Sequence, residues 1–371
     1  MPTTEVDHAL MGGALALARR GLGNVWPNPA VGCVLVKNGA VIGRGVTRKG
    51  GRPHAEAVAL DQAGAAARGA TAYVTLEPCA HLSERGPRCV DRLIEARIHR
   101  VVVAMVDPDP RTAGGGISRL ETARVQVSVG CREAEAREVN AGFLHRLATG
   151  RPLVTLKLAT SLDGRIALAN GESKWITGPA ARSRGHLLRS QNDAIAVGAA
   201  TARRDDPELT CRLPGLEGRS PVRAVLASRI EPLLKLRMLA SARQVPLWIM
   251  TAEQPLAHVR EWAEKAGAKI LPCAADARGR PDLKSALTVL GAQGITRLLV
   301  EGGGEVAASL LKADLVDRLA WFRAPQVIGG DGTAGIAALG LADLAAAHRF
   351  QRVSAETCGA DSLEMYSRVP E

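Results

Sequence analysis

The feature that most constrains this 371-residue chain is a set of three potential metal ligands that belong to three separate segments. His54 stands at the start of a helical pattern, and Cys79 closely follows the apolar stretch Thr71–Leu76. Cys89 comes ten positions later, where another helical pattern begins. One imidazole and two thiolates form a catalytic zinc set that leaves a fourth position for water. Helix N-termini at the two cysteines would favour thiolate over thiol, since their partial positive charge stabilises the anion.

A carboxylate accompanies these ligands. Glu56 lies two residues after His54, where it can move protons between a zinc-activated water and a leaving amine without binding the metal. A His-x-Glu motif with a later Pro-Cys is typical of zinc deaminases. The alternative, a surface histidine and two unrelated cysteines, explains the joint pattern less well. The other five cysteines have no such neighbours and are interpreted as core or surface residues: Cys33, Cys131, Cys211, Cys273 and Cys358.

The loop between the two predicted cysteine ligands is long. Nine residues separate Cys79 from Cys89, whereas many zinc deaminases have two there. Such a loop must lie beside the metal, and Arg85 or Arg88 could reach a substrate phosphate. His81 could ligate the metal, but a hydrogen-bonding role that supports the loop is favoured.

The first part of the chain alternates strand and helix patterns, which predicts an α/β sandwich over residues 1–150. Asn38-Gly39 is a strong hairpin signal between the first two strands. The predicted strands are Val31–Lys37, Ala40–Val46, Thr71–Leu76, Arg100–Val106 and Val125–Gly130. The predicted helices are one near the N-terminus, Ala55–Arg68, Arg88–Ala96 and Arg132–Leu147.

Gly150-Arg151-Pro152 interrupts this pattern, and a second α/β domain is predicted over residues 151–371. Its predicted strands are Leu153–Ala159, Asp193–Gly198, Val222–Ala227, Pro246–Thr251, Ala268–Leu271, Arg297–Glu301 and Asp317–Arg323. Its predicted helices are Ala180–Arg189, Leu256–Ala266, Leu283–Leu290 and Glu305–Lys312. Between Glu301 and Glu305 lie three glycines, which could let the backbone approach a pyrophosphate at a helix N-terminus. By itself this pattern favours an ordinary strand-to-helix turn.

Composition limits the functional classes. The net charge of +11 fits a generic basic surface, attraction to small phosphorylated molecules, or nucleic-acid binding. Aromatic residues make up only 3%, and the basic residues are dispersed, which disfavours nucleic acid. No apolar run reaches the roughly 18 residues of a membrane span. Glu5 and Asp7 precede the first apolar stretch, which indicates a capped amphipathic helix rather than a secretion signal. Seven scattered cysteines suit a reducing cytoplasm.

Short motifs along both halves resemble one family, the bifunctional riboflavin-biosynthesis deaminase/reductases. In the first half they are Pro27-Asn28-Pro29-Ala30-Val31-Gly32, His54-Ala55-Glu56, Thr75-Leu76-Glu77-Pro78-Cys79-Ala80-His81 and Asp107-Pro108-Asp109-Pro110. In the second half they are Leu156–Arg165, Gly171–Thr177, Asp205-Asp206-Pro207 and Val300-Glu301-Gly302-Gly303. The loop before Cys89 departs from the family's usual Thr-Pro-Pro ending and is one residue longer.

The resemblance implies a cytidine-deaminase-like α/β/α sandwich followed by a dihydrofolate-reductase-like α/β domain. The first domain would hydrolyse the 2-amino group of 2,5-diamino-6-ribosylamino-4(3H)-pyrimidinone 5′-phosphate. The second would use NADPH to reduce the ribosyl chain to ribityl, which gives 5-amino-6-(5-phospho-D-ribitylamino)uracil. The implied partners are this phosphorylated aminopyrimidine and further copies of the chain, with no nucleic acid and no membrane.

The resemblance also implies individual roles. His54, Cys79 and Cys89 would bind Zn²⁺, Glu56 would be the acid/base, and Asn28 would contact the base. The residues implied for NADPH are Ala159, Trp175, Thr201, Asp205, Ser228, Gly303, Gly304, Glu305, Val306, Ala307, Ala308 and Ser309. Those implied for the reductase substrate are Ser173, Arg189, Leu209, Arg212 and Glu301. Arg189 and Arg212 suit a phosphate clamp, because guanidinium binds phosphate through paired hydrogen bonds.

Two other classes remain as alternatives. A nucleic-acid base deaminase of the tRNA type, with an accessory binding domain, would fit the zinc set and the charge. The long loop, the scarce aromatics and the second half do not suit it. A non-catalytic relative used only for binding is disfavoured, because every expected ligand and Glu56 are present.

Overall fold

A computed structural model describes residues 2–81 and 86–369 and divides the chain into two compact units, one ending at Thr149 and the other beginning at Gly150. The sequence-based boundary after residue 150 lies one residue later. Within the described residues, no helix combines the length and the apolar character needed to cross a membrane.

The first unit contains a five-stranded mixed sheet in the order β2-β1-β3-β4-β5. Its strands are β1 Gly32–Lys37, β2 Ala40–Val46, β3 Thr71–Val74, β4 Arg100–Val103 and β5 Gln126–Val129. Its helices are α1 Glu5–Arg19, α2 Ala55–Ala63, α3 Cys89–Glu95, α4 Gly115–Thr122, α5 Glu133–Val139 and α6 Ala141–Thr149. The hairpin β1–β2 is antiparallel and β1 is antiparallel to β3, whereas β3, β4 and β5 are parallel.

Helices cover both faces of this sheet because two glycines allow close approach. A Cβ at Gly32 would lie 1.9 Å from the Ala14 carbonyl oxygen of α1. A Cβ at Gly45 would lie 1.9 Å from the Ala55 carbonyl oxygen of α2. Gly45 pairs with Cys33, the neighbour of Gly32, and neighbouring strand residues face opposite sides. The helices α1 and α2 therefore sandwich the sheet, and α2 begins directly after His54.

One helix predicted over residues 132–147 is two helices, which meet at Asn140. The buried Asn140 side chain accepts a hydrogen bond from the Ala30 amide at 2.8 Å and donates to the Ala30 carbonyl at 3.2 Å. This contact between distant residues interrupts the helix at Asn140. The helical periodicity of the segment does not indicate the interruption.

The second unit contains a nine-stranded sheet in the order β11-β10-β9-β8-β12-β6-β13-β16-β15. Its strands are β6 Leu153–Thr160, β8 Ala194–Gly198, β9 Val222–Leu226, β10 Leu247–Thr251, β11 Ala268–Pro272, β12 Arg297–Glu301, β13 Arg318–Arg323, β15 Phe350–Cys358 and β16 Asp361–Arg368. A separate small ladder pairs β7 Arg165–Ala167 with β14 Thr333–Ala334. Its helices are α7 Pro179–Ser190, α8 Ala199–Asp205, α9 Arg237–Ala240, α10 Ala257–Lys265, α11 Leu283–Ala292 and α12 Gly304–Lys312.

The strands from β11 to β13 are parallel, so their carboxyl ends share one edge of the sheet, where ligands of α/β folds bind. The strands β16 and β15 extend the sheet as an antiparallel hairpin that was not predicted. The helix α8, which follows β8 without a connecting loop, was also not predicted.

Candidate functional site

The structure brings the three predicted metal ligands together. His54 is the N-cap of α2, Cys79 lies in the segment after β3, and Cys89 is the first residue of α3. Their ligand atoms all lie within 4.8 Å of one another. The His54 Nδ1 is 3.1 Å from the Cys89 sulfur and 3.5 Å from the Cys79 sulfur. No other such cluster of histidine, cysteine and carboxylate ligands occurs in the described part of the chain.

This geometry fits a tetrahedral zinc ion. Bonds of about 2.0–2.3 Å at tetrahedral angles place neighbouring ligand atoms roughly 3.5 Å apart. A hydrogen bond from the Cys89 thiol, which outweighs the opposing effect of burial, lowers the pKa of Cys79 to about 4. The Cys89 backbone N–H also donates to the Cys79 sulfur at 3.3 Å. The site therefore favours a thiolate, which is the form that binds metal.

The carboxylate of Glu56 is buried beside this cluster, with 3% of the residue exposed. Burial raises the pKa of Glu56, while the charge of His54 works in the opposite direction. A carboxylate with a raised pKa is suited to accept and return a proton near neutral pH.

Asn28 packs against the segment that leads into His54. Its Nδ2 donates to the Val25 carbonyl at 3.2 Å and to the Gly50 carbonyl at 3.3 Å. A Cβ at Gly51, where φ is +88°, would lie 2.0 Å from the same nitrogen, so only glycine allows this approach. The amide of Asn28 is thereby held in place against the turn that precedes His54.

Glu77 is a residue that sequence reasoning missed. Its carboxylate is 3% exposed and accepts four backbone N–H groups. Oε2 accepts from Asp107 at 3.2 Å and Gly114 at 2.9 Å, whereas Oε1 accepts from Gly116 at 2.8 Å and Ile117 at 3.1 Å. The carboxylate thus caps α4, whose N-cap Gly114 has no side chain to do so. No pattern in the sequence could identify partners 30 to 40 positions away.

The loop after Cys79 is held in part by His81, whose Nδ1 is 3.0 Å from the Thr112 hydroxyl. This is the loop-bonding role that the sequence favoured for His81, which is not a member of the ligand cluster. Arg88 pairs with Asp91 at 3.6 Å, so its charge is partly matched within α3. The other predicted phosphate contact, Arg85, lies outside the described residues.

In the second unit, a cavity of about 210 Å³ gathers many residues implied for the reductase. Those from the two predicted sets that line it are Ala159, Ser173, Arg189, Thr201, Asp205, Leu209, Glu301 and Gly303. The cavity lies where β6, β8 and β12 end, and Gly302 and Gly303 adopt φ of +100° and +81° there. A Cβ at Gly303 would lie 3.1 Å from the Thr201 hydroxyl, so the glycine turn lies close to α8.

Three of the charged side chains that line this cavity form an ionic cluster. Arg189 donates to Glu301 through Nε at 2.8 Å and Nη2 at 2.9 Å. The ammonium of Lys157, to which the sequence assigned no role, lies 3.8 Å from Glu301 and 5.5 Å from the centre of the Phe322 ring. Burial alone would raise the pKa of Glu301, but the charges of Arg189 and Lys157 lower it to about 2. Burial in turn lowers the pKa of Lys157.

A second cavity in this unit, of about 510 Å³, lies along α12 and the ends of β8 and β9. The predicted cofactor residues Ser228, Glu305, Val306 and Ser309 line it. Two cations, Arg280 and Lys312, also line it, although the sequence did not single them out. Gly304 begins α12, while Ala307 and Ala308 lie in the core and line neither cavity.

Besides Gly304, Ala307 and Ala308, two predicted residues lie outside the lining of both cavities. Trp175 is 68% exposed, and the Arg182 guanidinium lies 4.4 Å from the centre of its ring. Arg212 is exposed and pairs with Glu208 at 2.7 Å. Since Arg189 already binds Glu301 through two bonds and the Thr210 carbonyl through a third, the two arginines do not form a free phosphate clamp in this conformation.

Each of the two units matches a model of a known protein family. A family model described as the RibD C-terminal domain matches residues 152–363, and one for the cytidine and deoxycytidylate deaminase zinc-binding region matches residues 4–105. The riboflavin biosynthesis protein RibD of Escherichia coli K12 is 42% identical over 358 residues, which cover 93% of this chain and 95% of that protein. RibD of Haemophilus influenzae is 42% identical and covers 97% of both chains.

Solved structures give the same result. Acinetobacter baumannii RibD, form 2, has a TM-score of 0.86 at 36% identity and covers 98% of this chain and 99% of its own. A diaminohydroxyphosphoribosylaminopyrimidine deaminase/5-amino-6-(5-phosphoribosylamino)uracil reductase from Thermotoga maritima has a TM-score of 0.85 at 32% identity, with the same coverage. Similarity across both units does not favour a nucleic-acid deaminase with an accessory domain.

Proposed function

The chain belongs to the bifunctional riboflavin biosynthesis deaminase/reductase family, and from that premise we propose which unit, residues and cofactors carry each of its two activities. It is an enzyme with a zinc-binding deaminase domain and a reductase domain. We assign deamination to residues 1–150 and reduction to residues 151–371. The substrate of the first would be 2,5-diamino-6-ribosylamino-4(3H)-pyrimidinone 5′-phosphate, and that of the second its deaminated product.

The observation that carries the deaminase assignment is the convergence of His54, Cys79 and Cys89 beside the buried Glu56. These three side chains would hold Zn²⁺, which supplies an activated water when it is bound. Glu56 would accept a proton from that water as the C2–O bond forms, and deliver a proton to the amine as the C2–N bond breaks. Ammonia and the pyrimidinedione would leave. Asn28 would orient the ring through its fixed amide.

The reductase assignment rests on the 210 Å³ cavity, whose lining includes predicted residues of both the cofactor and substrate sets. Glu301, ionised and held by Arg189, would accept hydrogen bonds from ribose hydroxyls, and Lys157 would provide positive charge beside them. The glycine turn and α12 would hold the pyrophosphate of NADPH. The 510 Å³ cavity would take the adenosine half, where Lys312 offers a positive charge to the additional phosphate of NADPH, whereas Arg280 is already paired with Asp276 at 2.9 Å.

Selective removal of the metal tests the assignment of the two activities to separate units. Treatment with a zinc chelator should abolish ammonia release, because the ligands and Glu56 act on a zinc-activated water. NADPH oxidation on the deaminated intermediate should continue, since its cavity contains no metal-ligand cluster within the described residues. Added Zn²⁺ should restore deamination. Loss of both activities on chelation, or of neither, would contradict the assignment.

We also propose that the chain forms homo-oligomers in the reducing cytoplasm and acts on small molecules rather than nucleic acid. All seven cysteines are free. The strand β15 is an edge of the nine-stranded sheet, and its residues 351–357 are exposed, with Val353 at 67%. A long exposed edge is normally paired or covered. Sedimentation velocity should show a dimer or larger species free of nucleic-acid absorbance, and Val353→Lys should weaken it. A wild-type monomer at all concentrations would refute this proposal.

A further inference from the structure

The substrate proposed for the deaminase carries a phosphate, and a phosphate needs a cation in its binding site. The short segment that leads into the metal ligand His54 contains Arg48, Lys49 and Arg52. These three cations are not among the residues for which the sequence predicted a role. What this segment binds depends on the proposed deaminase function.

The segment from residue 48 to residue 53 is a tightly closed turn. The Arg48 amide donates to the Pro53 carbonyl at 3.1 Å, and the Gly51 amide donates to the Arg48 carbonyl at 2.9 Å. The Asn28 side chain donates to the Gly50 carbonyl from the adjacent segment. Hydrogen bonds at both ends of the turn and in its middle therefore fix the backbone from which the three cations project.

The position of Arg52 is the most informative of the three. Arg52 is half-buried, and its Nη1 lies 3.2 Å from the place that a Cβ would occupy at Gly86. Gly86 belongs to the segment that leads into Cys89, so Arg52 reaches from the approach to one metal ligand to the approach to another.

Some of the cations near the metal cluster are paired with a carboxylate, and others are not. Arg88 pairs with Asp91 and Arg92 pairs with Asp61, at 3.6 and 2.5 Å. Among residues 2–81 and 86–369, neither Arg52 nor its neighbours Arg48 and Lys49 has a carboxylate within 4.0 Å. A half-buried guanidinium without an anion is unfavourable, because it loses hydration with no compensating charge. A ligand phosphate would supply that charge through paired hydrogen bonds.

We propose that Arg52, assisted by Arg48 and Lys49, binds the 5′-phosphate of the deaminase substrate. The phosphate contact then comes mainly from the turn before His54, in place of Arg88 in the loop between the cysteines. The turn and the metal cluster act as two ends of one binding site. The base lies at His54, Cys79 and Cys89, and the phosphate lies at Arg52.

The test compares two substrates in two proteins. The full-length enzyme with bound zinc and its Arg52→Ala variant are assayed for ammonia release from the phosphorylated substrate and from the same compound without its phosphate. For the phosphorylated substrate, Arg52→Ala should lower kcat/KM by roughly 10- to 100-fold, mainly through KM. For the dephosphorylated compound, the two proteins should have the same kcat/KM. Inorganic phosphate should inhibit the wild-type enzyme competitively, and more weakly in the variant.

Controls separate this proposal from the function on which it rests. Arg44→Ala removes an exposed arginine of β2 and should change neither substrate's kinetics. Zinc content and the reductase activity of the same chain report whether Arg52→Ala folds, and Arg52→Lys should recover part of the lost kcat/KM. An equal fall for both substrates, or no fall for the phosphorylated one, would overturn the proposal while deamination itself stands. A wild-type enzyme that released no ammonia from either compound would instead refute the proposed function.

Discussion

Glu56→Gln is expected to lower deaminase kcat by about 10²- to 10⁴-fold while the protein keeps its zinc. Glutamine has nearly the same volume as glutamate, so the buried position stays filled and the three ligand side chains stay in place. An amide, however, cannot accept a proton from water and return one to the leaving amine. The loss should therefore appear in kcat with a smaller change in KM, since Asn28 and the other binding groups are untouched.

Three measurements check this expectation: ammonia release, zinc content by elemental analysis, and NADPH oxidation on the deaminated intermediate. The last should equal wild type, because the residues assigned to it lie in the other unit. Glu133→Gln is a matched control, since Glu133 is a partly exposed helical glutamate that pairs with Arg137 at 2.7 Å. Full deaminase turnover in Glu56→Gln would remove the acid/base role. Loss of zinc would make Glu56 a structural support of the metal site.

The second large effect is expected for Glu301→Gln, which should reduce reductase kcat/KM by at least about 10²-fold. The substitution removes the negative charge between Arg189 and Lys157, so two cations then face each other in the cavity. Removal of one partner from a buried ion pair lowers the free energy of unfolding by about 3–5 kcal/mol. An exposed ion pair contributes only about 1 kcal/mol or less. The amide of glutamine still offers one hydrogen-bond acceptor to Arg189. The expected loss of stabilisation is therefore at the lower end of the range for a buried ion pair.

Reductase kinetics, binding of NADPH and the free energy of unfolding should be measured together. Glu356→Gln is the matched control, because Glu356 pairs with Arg184 at 2.7 Å on the surface with 42% of its side chain exposed. Glu301→Gln should lose substrate binding more than NADPH binding, while deamination continues. If the variant reduced the intermediate at the wild-type rate, the ionic cluster would have only a structural role.

Two features that the sequence missed, the helix α4 and the break at Asn140, share a physical cause. The helix α4 has a glycine N-cap and receives its capping carboxylate from Glu77, which is 37 positions away from Gly114. The break at Asn140 depends on Ala30, 110 positions away. Local patterns describe which conformations a segment prefers, but caps and breaks supplied by distant residues become visible only when the chain is folded.

The candidate site divides in the same way. The spacing and chemistry of His54, Glu56, Cys79 and Cys89 predicted their convergence, because few other roles require those residue types together. The role of Glu77, the ionic cluster around Glu301 and the unmatched charge of Arg52 could not be predicted. Each depends on which side chains meet across the fold and on how much water reaches them.

The sequence by itself therefore determined the alternation of strands and helices, the set of candidate metal ligands and the position of the glycine turn before α12. These follow from periodicity and from residue chemistry, both of which are local. Only the tertiary structure decided which acids are capped or paired, which alanines of α12 lie in the core, and which arginines remain free to meet a phosphate. Burial and charge pairing depend on distances between segments far apart along the chain, and no local pattern contains those distances.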